Sequence, residues 1–393
     1  DAPDPEAAAA GDFVLCGSSI VKQRLLVGTR KGLFVLHHEA DDWRIARRAF
    51  VGQNVSVTLG DSRDGALYVA LDHGHFGTKL HRSDDGGDSW NEVGVPIFPA
   101  FGERDRERQA AAGEIGARRD FTKLHEIWEL VEGGTDRLGV IWAGTIPGGL
   151  FRSSDRGESW ELIRPLWDRD ERWGWFGGGK DSPGIHSIVV DPRDSRRITV
   201  AISCGGVWHT EDDGATWETR ATGMRAEYMP PESAYDPNVQ DPHRLVACRA
   251  APDRWWVQHH NGIFRTDDAG RSWHEMAAVS PSAFGFAVAV HPDQPDTAWF
   301  VPAVKDECRV PTDGRLVVTR TRDGGASFES LHRGLPERDA WDIVFRHSLA
   351  VDDSGSSLAF GSTTGGLWYS YDGGDQWNQV PVRLPPIHVV RFG

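Results

Sequence analysis

The chain has 393 residues and a formal net charge of −15 at pH 7, with 58 acidic residues against 43 lysines and arginines. Acidic and basic residues are interspersed, which argues against a nucleic-acid partner, because phosphates require a clustered basic face. No apolar run approaches the roughly 20 residues of a membrane-spanning helix, so a membrane partner is not expected either. The composition favours a small-molecule partner that is neutral, cationic or bound to a metal.

Residues 1–22 are predicted to form a flexible leader, because residues 1–11 are rich in alanine, proline and acidic residues. A single folded domain is expected over residues 23–393. The leader lacks the basic and apolar stretches of a signal peptide, which favours a cytoplasmic location, with a cleaved export signal as the alternative. The widely spaced cysteines predict free thiols rather than a disulfide framework. They are Cys16, Cys204, Cys248 and Cys308.

One eight-residue pattern, Ser/Thr-x-Asp-x-Gly-x-x-Trp/Phe, recurs six times along the chain. The copies begin at Ser83, Ser153, Thr210, Thr266, Thr321 and Ser370. The pattern is typical of a tight hairpin, in which the aspartate accepts hydrogen bonds from the turn, the glycine adopts a positive φ and the aromatic ring covers the turn. Short alternating strands flank each copy, so every unit is predicted to be a four-stranded antiparallel propeller blade.

A seventh blade is predicted from the two ends of the chain. Residues 24–36 form two predicted strands that lack an innermost partner, whereas residues 386–392 form an innermost strand with nothing after it. Joining them leaves no sheet edge open. The sequence therefore predicts an all-β fold: a seven-bladed β-propeller of four-stranded antiparallel blades, closed by joining the C-terminal innermost strand to the N-terminal strands.

The six turns resemble the Asp-box, or BNR, repeats of sialidases, sortilin-type receptors and many bacterial propellers, and the resemblance covers the chain from Gln23 onward. In that family the box lies on an outer turn far from the central pocket, which implies a structural role for the six turns. The family's sialidases also need an arginine triad, a Tyr/Glu nucleophile pair and an aspartic acid. This sequence lacks those motifs, so a sialidase-like glycoside hydrolase is a minor alternative.

Aligning the predicted innermost strands places one residue of each blade at the mouth of the central channel. These residues are Ser56, His125, His186, His243, Phe286, Asp342 and His388. Imidazoles that converge on an axis suit a transition metal, so one divalent ion of iron, copper or zinc is predicted there. Its predicted ligands are His125, His186, His243 and His388. The alternative is that these rings line a water-filled channel.

Several other polar residues are predicted on the same face as the channel mouth. Histidines on two turns are predicted to be catalytic acid or base groups, with metal ligands or plain turn residues as the alternatives. They are His73, His75, His259 and His260. Four carboxylates could orient the metal-binding rings, namely Glu126, Glu227, Asp241 and Asp342. Long loops at residues 96–123, 165–184 and 223–240, two of them rich in aromatic residues, would form a lid.

These features together predict a metal-dependent enzyme with a mononuclear centre on the propeller axis. An aromatic lid favours a small organic substrate, such as an aromatic compound. Redox, oxygenase or lyase chemistry is favoured over hydrolysis, because no carboxylate ligand is evident in the sequence. The main alternative is a non-catalytic propeller that binds a peptide or serves as an assembly scaffold.

Overall fold

The structure, a computed structural model, describes residues 23–39, 42–112, 121–177 and 180–393. Its strands form seven four-stranded antiparallel sheets, and the innermost strands contact one another in a closed ring. The predicted seven-bladed propeller is therefore confirmed. No helix in these ranges is long and apolar enough to cross a membrane. The leader predicted at residues 1–22 lies outside the described residues.

The first three blades, each given from its innermost strand outward, contain the strands up to Leu162 together with the C-terminal strand. The closing blade comprises β28 (Ile387–Phe392), β1 (Arg24–Thr29), β2 (Gly32–Glu39) and β3 (Asp42–Ala49). The second blade comprises β4 (Asn54–Gly60), β5 (Leu67–Asp72), β6 (Thr78–Ser83) and β7 (Asn91–Val93). The third comprises β8 (Glu126–Glu132), β9 (Ile141–Ile146), β10 (Leu150–Ser153) and β11 (Glu161–Leu162).

The remaining four blades follow in chain order. The fourth comprises β12 (Ile185–Val190), β13 (Ile198–Ile202), β14 (Gly206–Thr210) and β15 (Glu218–Thr219). The fifth comprises β16 (Pro242–Ala247), β17 (Trp255–His259), β18 (Gly262–Thr266) and β19 (His274–Glu275). The sixth comprises β20 (Gly285–Val290), β21 (Ala298–Pro302), β22 (Val318–Thr321) and β23 (Glu329–Leu331). The seventh comprises β24 (Leu349–Val351), β25 (Leu358–Gly361), β26 (Leu367–Ser370) and β27 (Asn378–Gln379).

Short helices occur in loops between blades and in two turns within blades. They are α1 (Glu103–Ala111), α2 (Arg164–Trp167) and the 3-10 turns Gly74–Phe76, Asp170–Gly174 and Thr312–Gly314. Three of the four cysteines, Cys204, Cys248 and Cys308, are free thiols. Cys16 lies outside the described residues.

The ring is closed by the last residues of the chain. Strand β28 pairs antiparallel with β1, so that Val390 lies opposite Val27 and Val389 opposite Gly28. Val389 and Val390 are fully buried. The N- and C-terminal strands thus share one sheet, as predicted, and neither leaves an unpaired inner edge.

The repeated turns have the hydrogen bonds that their sequence predicts. In the third blade the Ser153 hydroxyl accepts the N–H of Gly157 at 2.8 Å and donates to Asp155 at 2.8 Å. Asp155 also accepts the N–H of Ser159 at 2.9 Å. Gly157 has φ of +89°, which favours glycine. The equivalent serine or threonine makes the same contacts in the five other copies, on the outer side of each blade.

Large aromatic residues fill the space between neighbouring blades. Trp142, Trp208, Trp256 and Trp299 are all at most 1% exposed, and each lies on the second or third strand of its blade. Every blade therefore buries its two faces against its neighbours, which makes the ring the unit of stability.

A buried ionic cluster crosses the propeller axis. Glu129 on β8 is fully buried and is paired with Arg244, with Arg391 at 3.2 Å and with His347 at 3.4 Å. Arg244 and His347 both contact the backbone oxygen of His186, at 2.7 and 2.8 Å. Because these groups come from different blades, the cluster links strands across the channel and closes it.

Candidate functional site

The innermost strands carry β-bulges near the point where each begins. In four blades the pairing between the first and second strands leaves out one residue of the innermost strand: Ser56, His186, His243 or His388. In a fifth blade it leaves out Phe286 and Ala287. A bulge re-aims a side chain and is common beside active sites. In these five blades the bulge coincides with the residue that the sequence alignment selected.

The alignment is wrong in the other two blades. In the third blade the bulge lies at Trp128, whereas His125 precedes β8 and pairs through its backbone N–H with the oxygen of Ile146. In the seventh blade Asp342 lies well before β24, and its carboxylate accepts the hydroxyl of Ser362 at 2.6 Å. Arg346 and His347 approach the axis there instead.

A cavity of about 790 Å³ opens at this end of the axis and is lined by all seven blades. Its partly exposed aromatic residues include Phe176, Tyr228 and Phe345. Its carboxylates are Asp72, Glu126, Glu227, Asp241, Asp306 and Glu307. Its cationic residues are Lys180, Lys305, Arg309 and Arg346. The mixture of rings, acids and cations suits a polar organic ligand with many hydrogen-bonding groups.

Two carboxyl groups on neighbouring blades form one wall of the cavity. Glu126 begins β8 and accepts the ammonium of Lys180 at 2.9 Å. Burial raises the pKa of Glu126, and the negative charge of Asp72 contributes in the same direction. Asp72 ends β5, where it accepts Asn54 and the N–H of Gly74, both at 3.3 Å. One carboxyl is thus biased towards its protonated form beside a second carboxyl, which is an arrangement suited to acid–base chemistry.

Arg346 contributes a positive charge to the cavity, and no carboxylate of the described residues forms an ion pair with it. Its guanidinium lies over the rings of Trp128 and Phe286, at 4.9 and 5.4 Å from their centroids. Among the described residues its Nε has no hydrogen-bond partner. Burial lowers the pKa of Arg346 to about 10, so the group remains charged at neutral pH. It can donate hydrogen bonds to oxygen atoms of a ligand.

A compact group of potential metal ligands lies on another wall of the cavity. Asp241 Oδ2 is 3.4 Å from His243 Nε2 and 3.3 Å from His260 Nδ1. Within the described part of the chain, no other three His, Cys, Asp or Glu residues bring ligand atoms within 4.8 Å of one another. The group therefore has the residue types and spacing needed to hold a cation.

The structure does not bring the four predicted metal ligands together. His186 is fully buried, does not line the cavity and contacts Ser187 Oγ at 3.0 Å. His388 lines the cavity beside Phe345, whereas His125 does not line it. His243 alone joins the compact group, and its partners there are His260 and Asp241.

The four predicted acid–base histidines occupy different environments. His73 and His75 lie at the 3-10 turn against Phe76 and do not line the cavity. His259 is fully buried, and its Nε2 accepts the N–H of Asp241 at 3.1 Å. His260 lines the cavity, so it is the one member with access to a ligand there, and its acid–base role stays a prediction.

Most of the aromatic side chains that were expected to form a lid belong instead to the hydrophobic core. Trp167, Trp173 and Trp175 are at most 8% exposed, because they pack among the blades rather than over the cavity. From these loops Phe176, Lys180 and Tyr228 reach the cavity. Residues 113–120 of the first loop lie outside the described residues.

The buried histidines make stability depend on pH. Burial lowers the pKa of His259 to about 3 and that of His347 to about 4. In the unfolded chain both pKa values return to about 6.5. Below that pH the two histidines are therefore protonated in the unfolded state but remain neutral in the folded state, which favours unfolding. We expect each histidine to cost about 2 kcal/mol of stability at pH 5, measured as a fall in the urea midpoint from pH 7.5 to pH 5.

His259→Gln should flatten this pH dependence, whereas His274→Gln, at an exposed position on β19, should leave it unchanged. An identical slope in the wild type and in the His259 variant would contradict the prediction.

No family model matches this chain. The oligoxyloglucan-reducing end-specific xyloglucanase of Emericella nidulans is 23% identical over 299 residues, which cover 67% of this chain and 34% of that protein. Xyloglucanase Xgh74A of Acetivibrio thermocellus is 34% identical over 96 residues, covering 23% of this chain and 10% of that protein. The chain thus spans about a third of the length of the oligoxyloglucan-specific relatives that it matches.

Similar solved structures support the fold. An ancestral GH74 enzyme has a TM-score of 0.56 at 14% identity and covers 86% of this chain and 38% of its own. The periplasmic gluconolactonase PpgL of Pseudomonas aeruginosa has a TM-score of 0.55 at 13% identity, covering 94% of this chain and 98% of its own. At such identities the likeness concerns architecture and not chemistry.

These comparisons correct the predicted function. The sequence relatives are xyloglucanases and not metal-dependent oxidoreductases or lyases, so the expectation of a metal-dependent enzyme with redox, oxygenase or lyase chemistry is wrong. The physical reason lies in the same cavity. The four histidines behind that expectation do not converge, whereas the carboxyl groups of Glu126 and Asp72 line its wall.

Proposed function

We propose that this propeller is a glycoside hydrolase that binds an oligosaccharide in the axial cavity. The carrying observation is the pair formed by Glu126 and Asp72, a carboxyl with a raised pKa beside a second carboxyl on the next blade. Glycoside hydrolysis generally uses two such groups. The xyloglucanase relatives support the substrate class. We also assign the six repeated turns to the Asp-box type, supported by their common hydrogen bonds.

In this proposal Glu126 is the general acid. Its carboxyl protonates the glycosidic oxygen as the bond to the sugar breaks, and the neighbouring ammonium of Lys180, 2.9 Å away, then stabilises the carboxylate that remains. Asp72 acts as the second carboxyl group, which activates a water molecule or attacks the anomeric carbon. Arg346 donates hydrogen bonds to sugar hydroxyl groups.

Tyr228 supplies an apolar surface for a sugar ring. It is 38% exposed and lines the cavity, and its hydroxyl donates to the oxygen of Val239 at 2.6 Å. That bond fixes the ring beside Phe176 and His260. A fixed aromatic face can cover the C–H face of a pyranose with little loss of entropy on binding.

The test is turnover of defined oligosaccharides. We expect the purified chain to release shorter products from xyloglucan oligosaccharides or another glucan in a panel, detected by chromatography of the reaction mixture. Tyr228→Ala should raise KM by roughly tenfold, equivalent to the loss of one aromatic contact. Tyr235→Ala is the matched control, because Tyr235 lies on the same loop, is 62% exposed and does not line the cavity.

Two outcomes would contradict the proposal. One is a panel in which no saccharide is cleaved under conditions where the protein is folded. The other is cleavage that both tyrosine variants affect equally, which would place the substrate outside the axial cavity.

A further inference from the structure

Three ligand atoms converge on one point in the cavity wall. They are Asp241 Oδ2, His243 Nε2 and His260 Nδ1, with Oδ2 at 3.4 and 3.3 Å from the two nitrogens. We infer that Asp241, His243 and His260 bind one divalent transition-metal ion of the zinc class. The site differs from the predicted four-histidine centre, because it lies on a single blade rather than on the axis.

The distances fit a tetrahedral ion. Metal bonds to nitrogen and carboxylate oxygen are about 2.0–2.2 Å long, which places neighbouring ligands of a tetrahedron about 3.4 Å apart. The two distances from Oδ2 match that edge length, and the third edge lies within 4.8 Å. Two imidazoles and one carboxylate are also a donor set that zinc accepts.

The chain holds each ligand by a further contact. His243 Nδ1 donates to the oxygen of Gly285 at 2.7 Å, which leaves the lone pair of Nε2 facing the common point. Asp241 Oδ1 accepts the N–H of Cys204 at 3.1 Å, so Oδ2 is the oxygen that remains for an ion. His259 accepts the N–H of Asp241 at 3.1 Å and fixes the backbone beneath it.

The tautomer of His243 favours a cation beside Asp241. With its proton on Nδ1, a neutral His243 presents an acceptor lone pair to the carboxylate oxygen of Asp241 at 3.4 Å. Two acceptors at that distance repel each other in a buried site, where Asp241 and His243 are 1% and 2% exposed. A metal ion between them removes the repulsion and uses both lone pairs. A second proton on His243 is the competing solution.

The position of the site indicates what the ion does. All three residues line the cavity, so a coordination position not filled by protein would face a bound ligand. A ligand hydroxyl could occupy that position. Zinc itself has no redox chemistry, and its binding at this site does not depend on the proposed hydrolysis.

The experiment measures metal binding directly. Protein purified without a histidine tag and stripped with a chelator is titrated with ZnCl₂ in a calorimeter, and with CoCl₂ by visible absorption. We expect one Zn²⁺ per chain and the intense bands of tetrahedral Co²⁺. Asp241→Asn and His260→Ala should each weaken Zn²⁺ binding by more than about 100-fold, the upper limit for residues that only orient a ligand. His260 is partly exposed, so its variant is expected to fold.

Two histidine variants serve as controls. His75→Ala, on an exposed turn outside the cavity, and His388→Ala, inside the cavity and outside the group, should retain one bound Zn²⁺. The inference is overturned if the wild type binds no stoichiometric Zn²⁺, which would leave a protonated His243 as the solution. It is also overturned if His388→Ala abolishes binding while His260→Ala does not. Failure of saccharide turnover alone would leave the metal site standing.

Discussion

Replacing Glu126 with glutamine is expected to lower kcat for saccharide hydrolysis by about 10²- to 10⁴-fold, the usual contribution of a general acid or base. Glutamine keeps the shape of the side chain and its contact with Lys180 but has no proton to give to the leaving oxygen. The loss should appear in kcat more than in KM, because the proton is transferred in the transition state. The measurement is steady-state turnover of the oligosaccharide that the wild type cleaves best.

The pH profile distinguishes an acid from a residue that only shapes the cavity. Burial raises the pKa of Glu126 above the ordinary glutamate value, so wild-type activity should fall as pH rises through that raised pKa. The residual activity of the Glu126→Gln variant should not show this fall with rising pH. Glu307→Gln, an exposed carboxylate on the cavity rim, is the control and should change kcat less than threefold, roughly 0.7 kcal/mol. Equal losses in both variants would contradict the assignment.

Replacing Glu129 with glutamine should destabilise the folded protein by about 3–5 kcal/mol. Its carboxylate is fully buried among Arg244, Arg391 and His347. These partners hold the pKa of Glu129 well below its usual range against the opposing effect of burial. Without the negative charge, two largely buried arginines would remain with no counter-ion among the described residues. The loss is a large part of the stability of a typical domain, and urea unfolding at pH 7 measures it.

A surface ion pair provides the comparison. Glu161 pairs with Arg152 at 2.9 Å and is 67% exposed, so Glu161→Gln should cost less than about 1 kcal/mol. If the two variants had equal stability, the axial cluster would not be needed to hold the blades together. A variant of Glu129 too unstable to purify at 25 °C but recoverable at low temperature would still agree with the prediction.

The architecture could be predicted from sequence because its signals are local and repeated. Six copies of one turn mark six blades, and the unpaired strands at the two ends require each other. Each copy depends on contacts within eight residues, such as those between Ser153, Asp155 and Gly157, so no knowledge of distant packing was needed.

The site was harder to predict, because the register of each innermost strand depends on its pairing with a partner strand that lies further along the sequence. Leu124–His125 resembles Ile185–His186 in sequence, yet the partner strand β9 places the bulge at Trp128. Strand β24 has only three residues. Its alternation of apolar and polar residues is too short to show from the sequence that Arg346 lies at the axis. Asp241 was named only as a partner of a histidine, although it precedes the bulge at His243 and is itself positioned as a ligand.

The closed axis restricts how a long polymer could use this molecule. His347 belongs to the wall of the large cavity, Arg244 belongs to the wall of a second, smaller one, and Glu129 lies between them with no exposed surface. Among the described residues the ionic cluster thus separates the two cavities, so a polysaccharide bound as proposed would have to leave by the mouth through which it entered. A cavity that is closed at its inner end favours the chain ends and short branches of a polysaccharide, and it disfavours processive movement along the polysaccharide backbone.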